Sequence, residues 1–189
     1  LFNYVGTPTV TRILPLLKSY KSRFVYLLTP FTGAEPLRQP PYNEYVFNLG
    51  TSYGDETEGL VDHFVSAGRS RIAVFYQADA YGRSGWDGVK KALAKNFGLK
   101  MVAEATYRRG AEYSQSFTQQ VEVLRKASPD AVISIGAYAV SAAFIRDARN
   151  AGLDIPIANL SFVGSESMSD LLLRSSRTAS KDYTKGLIN

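Results

Sequence analysis

The segment from Arg71 to Gly85 holds the residues whose types and spacing best suit contact with a small molecule. An apolar run from Ile72 to Tyr76 predicts a buried strand, and it stops at a polar turn that carries Tyr81-Gly82. In open α/β sheets, ligands bind beyond the carboxyl ends of the strands, so an aromatic hydroxyl in this turn is well situated to touch a ligand. Because the segment contains neither a nucleophile–base pair nor a metal cluster, it indicates binding rather than catalysis.

Composition narrows the possible functions. The 189 residues are 45% hydrophobic, enough for one sizeable core or two small lobes, and no apolar run approaches the roughly 20 residues that span a bilayer. With one histidine, no cysteine and no dinucleotide-binding or P-loop glycine motif, we expect no enzyme, no metal and no cofactor. Net charge is +5, but the basic residues are scattered among acidic ones, so we expect no nucleic-acid partner.

Strand-like and helix-like segments alternate along the chain. The alternation predicts an α/β fold with a mostly parallel sheet and helices on both faces. The predicted strands are Leu1–Val5, Phe24–Leu28, Tyr45–Leu49, Arg71–Tyr76, Lys100–Thr106, Ala131–Ile135, Ile155–Leu160 and Lys185–Ile188. The predicted helices are Val10–Tyr20, Glu56–Ala67, Gly85–Phe97, Ser114–Lys126, Val140–Ala151 and Ser167–Ser175. Glu56 and Glu58 are interpreted as first-turn carboxylates that favour the helix dipole.

A proline-rich irregular stretch from Thr29 to Tyr45 interrupts this regularity. Long loops in compact α/β domains are usually functional or connecting. We therefore place a lobe boundary near residue 50. Residues 1–49 are predicted to form the C-terminal part of a first lobe plus a crossover, and residues 50–189 a nearly complete second lobe.

The order of short motifs carries a family resemblance. These motifs are Gly6-Thr-Pro-Thr9, Thr29-Pro-Phe-Thr-Gly-Ala-Glu-Pro-Leu37, Asp79-Ala-Tyr-Gly82, Gly136-Ala-Tyr138 and Ser161-Phe-Val-Gly164. Together they resemble the type 1 periplasmic binding proteins, in the branched-chain amino-acid branch that serves ABC transporters. The resemblance implies two Rossmann-like lobes joined by crossing strands, with a small ligand held between them. It also implies that this chain is truncated at both ends relative to the family.

The resemblance assigns ligand contacts to two tyrosines and to the first helix. Tyr81 matches an aromatic residue that packs on or hydrogen-bonds the ligand, although it can equally cover the edge of its helix. Tyr138 matches a contact to the ligand's polar head, or alternatively caps the core. Thr7 and Thr9 lie at the start of a helix, where relatives use a serine or threonine to bind a carboxylate at the helix N-terminus. The same two residues also suit the role of an N-cap without any ligand.

Two further loops complete the implied site. Phe31, Thr32 and Gly33 fall in the loop that grips the ligand's α-carboxylate in amino-acid-binding relatives, where amides and a hydroxyl make an anion site. Ser161 falls where such relatives carry an acid that pairs with the ligand's ammonium. Because no nearby acid matches this position in register, we expect a cleft without that carboxylate. An aromatic or aliphatic carboxylate then fits as well as an amino acid.

The leading hypothesis is a periplasmic, or extracellular membrane-associated, solute-binding protein that delivers its ligand to an ABC transporter permease. The resemblance implies an export signal peptide in the full-length protein. The alternative is a ligand-binding sensor domain of the same fold that belongs to a membrane receptor. Sequence beyond these residues would separate the two hypotheses.

Overall fold

The computed structural model describes residues 1–189 and contains six α-helices and seven strands. The helices are α1 (Thr7–Ser19), α2 (Tyr53–Ser66), α3 (Ala80–Phe97), α4 (Thr118–Lys126), α5 (Tyr138–Asn150) and α6 (Ser165–Ala179). The strands are β1 (Leu27–Leu28), β2 (Val46–Phe47), β3 (Ile72–Gln77), β4 (Ala103–Tyr107), β5 (Ala131–Ile135), β6 (Ile157–Asn159) and β7 (Leu187–Ile188). None of the helices combines the length and apolar character that crossing a membrane requires.

The strands form two sheets in which every pair is parallel. β1 pairs with β2, and the predicted strand Leu1–Val5 is present only as two isolated bridges, Phe2 to Leu28 and Val5 to Phe31. The larger sheet has the order β4-β3-β5-β6-β7. The parallel α/β architecture predicted from the sequence is therefore confirmed. The small sheet lies within residues 1–49 and the large one within residues 50–189, and the lobe boundary near residue 50 stays a prediction.

Helices cover both faces of the five-stranded sheet, and the residues of β3 show how. All six residues of this strand are buried. Ile72, Val74 and Tyr76 face one core, which also takes in α1, α2 and α3. Ala73 and Phe75 face a second core, which is completed by α4, α5 and α6. A strand that is apolar on both faces is typical of a buried parallel sheet, and it explains the unbroken apolar run in the sequence.

All six helices begin at residues other than those predicted, and for two of them a side-chain hydrogen bond to a backbone N–H explains the difference. The Asp79 side chain accepts hydrogen bonds from the N–H of Tyr81 (2.9 Å) and of Gly82 (3.2 Å). This cap starts α3 at Ala80 instead of Gly85. In contrast, α4 starts late, at Thr118, because the preceding Phe117 N–H donates to the Asp147 carboxylate (2.6 Å) instead.

A buried arginine fastens the end of α5 to the segments around β6 and β7. The Arg149 guanidinium donates to the carbonyls of Leu153 (2.5 Å), Ile155 (2.9 Å) and Lys185 (2.8 Å). The residue is only 2% exposed. Burial lowers the pKa of its guanidinium, while Asp154 and Asp182 act in the opposite direction. A buried charge that donates to three backbone carbonyls therefore links the end of α5 to this edge of the sheet, while its Nε has no hydrogen-bond partner.

Candidate ligand-binding cleft

The carboxyl ends of the strands bring most of the predicted site residues to one region. β3, β5 and β6 are consecutive neighbours in the large sheet, and they lead to Tyr81, Tyr138 and Ser161 respectively. The small sheet leads to the loop Thr29–Gly33. Since the carboxyl ends of parallel strands lie at the same edge of a sheet, loops from both sheets can meet across one cleft.

The two sides of this cleft touch through an aromatic pair. The rings of Phe31 and Phe162 stack with centroids 5.1 Å apart and planes inclined by 26°. Beside the pair lies a cavity of 460 Å³. Its walls are the loop Thr29–Gly33 and the Ser161-Phe162 segment, and the first turn of α2 contributes Tyr53 and Glu56. Four of the predicted residues therefore line one cavity: Phe31, Thr32, Gly33 and Ser161.

A second, larger depression of 610 Å³ lies among α1, α2 and α3. Thr7 lies in its lining, which consists mainly of polar and charged residues of these helices, such as Asp87 and Lys91, together with residues of the segment after β1, such as Glu35. The smaller cavity is the better candidate for a ligand because strand-end loops from both sheets form its walls. Aromatic walls with a few convergent polar groups are also typical of small-molecule sites.

The two predicted helix-opening threonines differ sharply in environment. Thr7 is 2% exposed, and its hydroxyl lies 2.7 Å from the hydroxyl of Thr32, which is 8% exposed. The same Thr32 oxygen accepts a hydrogen bond from the Ala34 N–H (3.3 Å). Thr9 is exposed and lies outside the cavity lining. The structure thus joins Thr7 to the Thr29–Gly33 loop and leaves Thr9 at the surface.

Tyr81 and Tyr138 lie at the same sheet edge but at different depths. Tyr81 is 2% exposed, and its ring packs against Phe162 (4.7 Å between centroids) and Tyr53 (5.2 Å). Its hydroxyl donates to the Gly136 carbonyl at 3.5 Å. Burial raises the pKa of Tyr81 well above its usual value. Tyr138 is 46% exposed at the start of α5. Neither ring lines the cavity, and their direct contact with ligand stays a prediction.

Tyr53 is a cavity residue that the sequence analysis did not identify. It is 1% exposed, and its N–H donates to the Gly33 carbonyl (2.7 Å). Its hydroxyl lies near the Thr32 and Thr7 hydroxyls, which act to lower its pKa, but it makes no hydrogen bond to either. Burial is the main cause that raises the pKa of Tyr53. A buried hydroxyl without a partner costs stability, and a ligand oxygen could satisfy it.

Glu56 is the second residue that the sequence analysis missed. Its carboxylate accepts hydrogen bonds from the Ser161 N–H (2.9 Å) and the Ser161 hydroxyl (2.7 Å). The expectation that the cleft offers no carboxylate beside Ser161 is therefore wrong, because an acid from α2 reaches the same place. Ser161 and Glu56 are 105 residues apart in the chain, so no local motif connects them.

The lining of the cavity combines polar and aromatic groups. Hydroxyls and amides gather at the Thr32 end, a carboxylate lies at the Ser161 end, and aromatic rings lie between them. No group of three or more His, Asp or Glu side chains lies close enough together to hold a metal ion.

Solved structures share this fold over nearly the whole chain. A possible leucine/isoleucine/valine-binding protein from Rhodopirellula baltica SH 1 is 27% identical with a TM-score of 0.76, covering 97% of this chain and 55% of that one. A substrate-binding periplasmic protein from Ralstonia solanacearum is 26% identical with a TM-score of 0.80, covering 99% and 49%. A branched-chain amino acid ABC transporter protein from Thermus thermophilus with bound valine is 20% identical with a TM-score of 0.77, covering 88% and 42%.

This chain spans about half the length of the solved structures that it matches. No curated protein sequence matches it. A family model described as periplasmic binding protein matches residues 1–177, which is most of the chain. The chain belongs to the periplasmic binding protein family.

Proposed function

We propose that this protein is the extracytoplasmic solute-binding component of an ABC importer and that it carries a small carboxylate-bearing ligand, an amino acid or an aromatic or aliphatic acid. The ligand occupies the cleft between the Thr29–Gly33 loop and the Ser161-Phe162 segment and is released unchanged to a membrane permease. Membership in a family of periplasmic binding proteins, rather than of enzymes, supports this function and an extracytoplasmic location.

The observation that carries the proposal is the composition of the 460 Å³ cavity. The hydroxyl of Thr32 and the backbone of Gly33 suit a carboxylate without a counter-charge. The rings of Phe31 and Phe162 suit an apolar side chain or an aromatic ring. The leucine/isoleucine/valine-binding description of the Rhodopirellula relative is consistent with ligands of this size.

A thermal-shift panel on the complete protein tests the proposal. The probes are L-leucine, 4-methylpentanoate, L-phenylalanine, 3-phenylpropanoate and 2-phenylethylamine. A ligand that binds only the native state raises the melting temperature. The increase grows with the ratio of the free ligand concentration to Kd. We expect at least one carboxylate-bearing probe to do so. If none of the carboxylates shifts the melting temperature at millimolar concentration, the proposed ligand class is wrong.

Thr32→Val should weaken binding of every carboxylate probe by roughly tenfold or more, because a hydrogen bond to a charged group is lost. Valine keeps the shape of the side chain, and only the hydroxyl that faces Thr7 disappears. Isothermal titration calorimetry measures the change in Kd. Thr9→Val, at the exposed threonine two residues after Thr7, is the matched control and should leave Kd unchanged. Equal affinities of the two variants would remove Thr32 from the site.

A further inference from the structure

The cleft cavity changes in character from its inner part to its outer part. At the inner part, Thr32 is 8% exposed and Tyr53 is 1% exposed. At the outer part, the small sheet supplies a wall that consists of Phe2, Asn3, Thr29 and Leu49. Phe2 and Leu49 are 71% and 86% exposed. We call these four residues the outer wall.

Neighbouring chain segments bring the outer wall together. Phe2 bridges to Leu28, and the Asn3 N–H donates to the Leu28 carbonyl (3.1 Å). The Thr29 N–H donates to the carbonyl of Phe47, the last residue of β2 (2.9 Å). Backbone hydrogen bonds therefore hold Asn3 and Thr29 at this end of the small sheet.

The two polar side chains of the outer wall are free to bind a ligand. The Asn3 amide and the Thr29 hydroxyl make no hydrogen bond within the protein, whereas the Thr11 and Thr57 hydroxyls donate to backbone carbonyls. Asn3 and Thr29 are also both in the left-handed conformation, with φ of 52° and 48°. For a β-branched threonine this conformation is strained, and such strain is concentrated at ligand clamps and active sites.

The composition of the outer wall limits the group that it accepts. It contains no charged side chain, so it offers no counter-charge to an ionised group. A hydroxyl both donates and accepts hydrogen bonds, which matches the Asn3 amide and the Thr29 hydroxyl. Contact with an apolar or aromatic ligand body removes Phe2 and Leu49 from water, which is favourable. The outer wall therefore suits an apolar body that carries a hydroxyl.

We propose that the outer wall recognises a hydroxyl group on the tail of the ligand, so that the protein selects hydroxylated acids over the same acids without the hydroxyl. This inference rests on the proposed function, because the carboxylate of the same ligand occupies the inner part of the cavity at Thr32. The body of the ligand extends outward from there to Asn3 and Thr29. These two side chains determine the specificity, whereas Phe2 and Leu49 contact ligands with and without the hydroxyl alike.

A purely structural role for Asn3 and Thr29 gives a different expectation. In that case the two residues only turn the chain, and changing them would alter stability without altering which ligands bind. Thr29→Val separates the two roles, because valine keeps the β-branched shape and removes only the hydroxyl. Asn3→Gly is the second variant, since glycine adopts the left-handed conformation without strain and removes the amide. Differential scanning fluorimetry shows whether each variant remains folded.

The experiment measures Kd by calorimetry on the complete protein for two matched pairs of probes: L-tyrosine with L-phenylalanine, and 3-(4-hydroxyphenyl)propanoate with 3-phenylpropanoate. The members of each pair differ only in the phenolic hydroxyl. In at least one pair, we expect the hydroxylated member to bind roughly fivefold more tightly or better, as a neutral hydrogen bond contributes. Thr29→Val and Asn3→Gly should each reduce this preference to about twofold or less and leave the Kd of the other member unchanged. Thr106→Val is the matched control, at an exposed threonine of β4 outside the cavity.

The outcomes separate this inference from the proposed function. If both members of each pair bind equally well, or if Thr29→Val and Asn3→Gly weaken both members equally, the outer wall does not recognise a hydroxyl, and the proposed function still stands. If no carboxylate probe binds, both are overturned together. Selective weakening of the hydroxylated probes in the two variants, with Thr106→Val unchanged, supports the inference.

Discussion

Gly82→Ala should lower the free energy of unfolding by about 3 kcal/mol or more, at the upper end of what overpacking costs. A Cβ atom at this position would lie 1.8 Å from the Gln77 carbonyl oxygen and 2.7 Å from the Gln77 backbone nitrogen. Both are backbone atoms at the end of β3, so no side chain can move aside to make room. The first turn of α3 would have to separate from the strand that precedes it. Urea unfolding followed by circular dichroism measures the loss.

Gly59→Ala is the matched control for this prediction. Gly59 lies within α2, and a Cβ atom added there would meet nothing within 4 Å. Alanine is the better helix former, so the substitution should stabilise the protein by roughly 0.8–1 kcal/mol. Similar stability of the Gly82→Ala protein and the unaltered protein would show that α3 does not approach β3 as closely as described.

Arg149→Met is the second substitution expected to have a large effect, with a loss of about 3 kcal/mol in the free energy of unfolding. Methionine replaces much of the apolar stem, but the carbonyls of Leu153, Ile155 and Lys185 lose their donor in a buried region. Because Lys185 lies two residues before the final strand, we expect β7 to exchange its amide hydrogens faster as well. Chemical denaturation and hydrogen exchange measure the two effects.

Arg174→Met is the matched control, because it removes a guanidinium group from an exposed position instead of a buried one. The Arg174 and Asp170 side chains form an ion pair on α6, with 74% and 56% of their surfaces exposed. Exposed pairs contribute little, so this change should cost less than about 1 kcal/mol. If both arginine variants lose the same stability, the hydrogen bonds of Arg149 to the backbone do not hold the sheet edge together.

The large sheet was predictable from the sequence because its central strands β3 and β5 are buried along their whole length and therefore appear as unbroken runs that are mainly apolar. β5 has the predicted bounds, Ala131–Ile135, since a turn and a glycine delimit it clearly. Strand Leu1–Val5 was not well predicted, because its pairing depends on neighbours that are distant in the chain. The predicted start of α3 is too late because Gly82 is interpreted as part of a turn. The Asp79 cap and the close contact with β3 require glycine inside the helix at position 82.

The candidate site was only partly predictable. Phe31, Thr32 and Ser161 were predicted from the family resemblance, and the structure places all three at one cavity. Glu56 was interpreted only as a carboxylate that favours the helix dipole. Its contact with Ser161 depends on the angle at which α2 crosses the sheet edge, which no local pattern specifies. Tyr53 was missed for the same reason, since it was interpreted as part of a connecting segment.

The Phe31–Phe162 stack has a consequence for the speed of binding. With centroids 5.1 Å apart, the two rings leave no room for a third ring between them, because two successive stacking distances would need more space. Under the proposed function, a ligand ring can enter between them only after the two rings part. Side-chain gating of this kind slows association and dissociation together, so ligands of equal affinity would differ in their residence times.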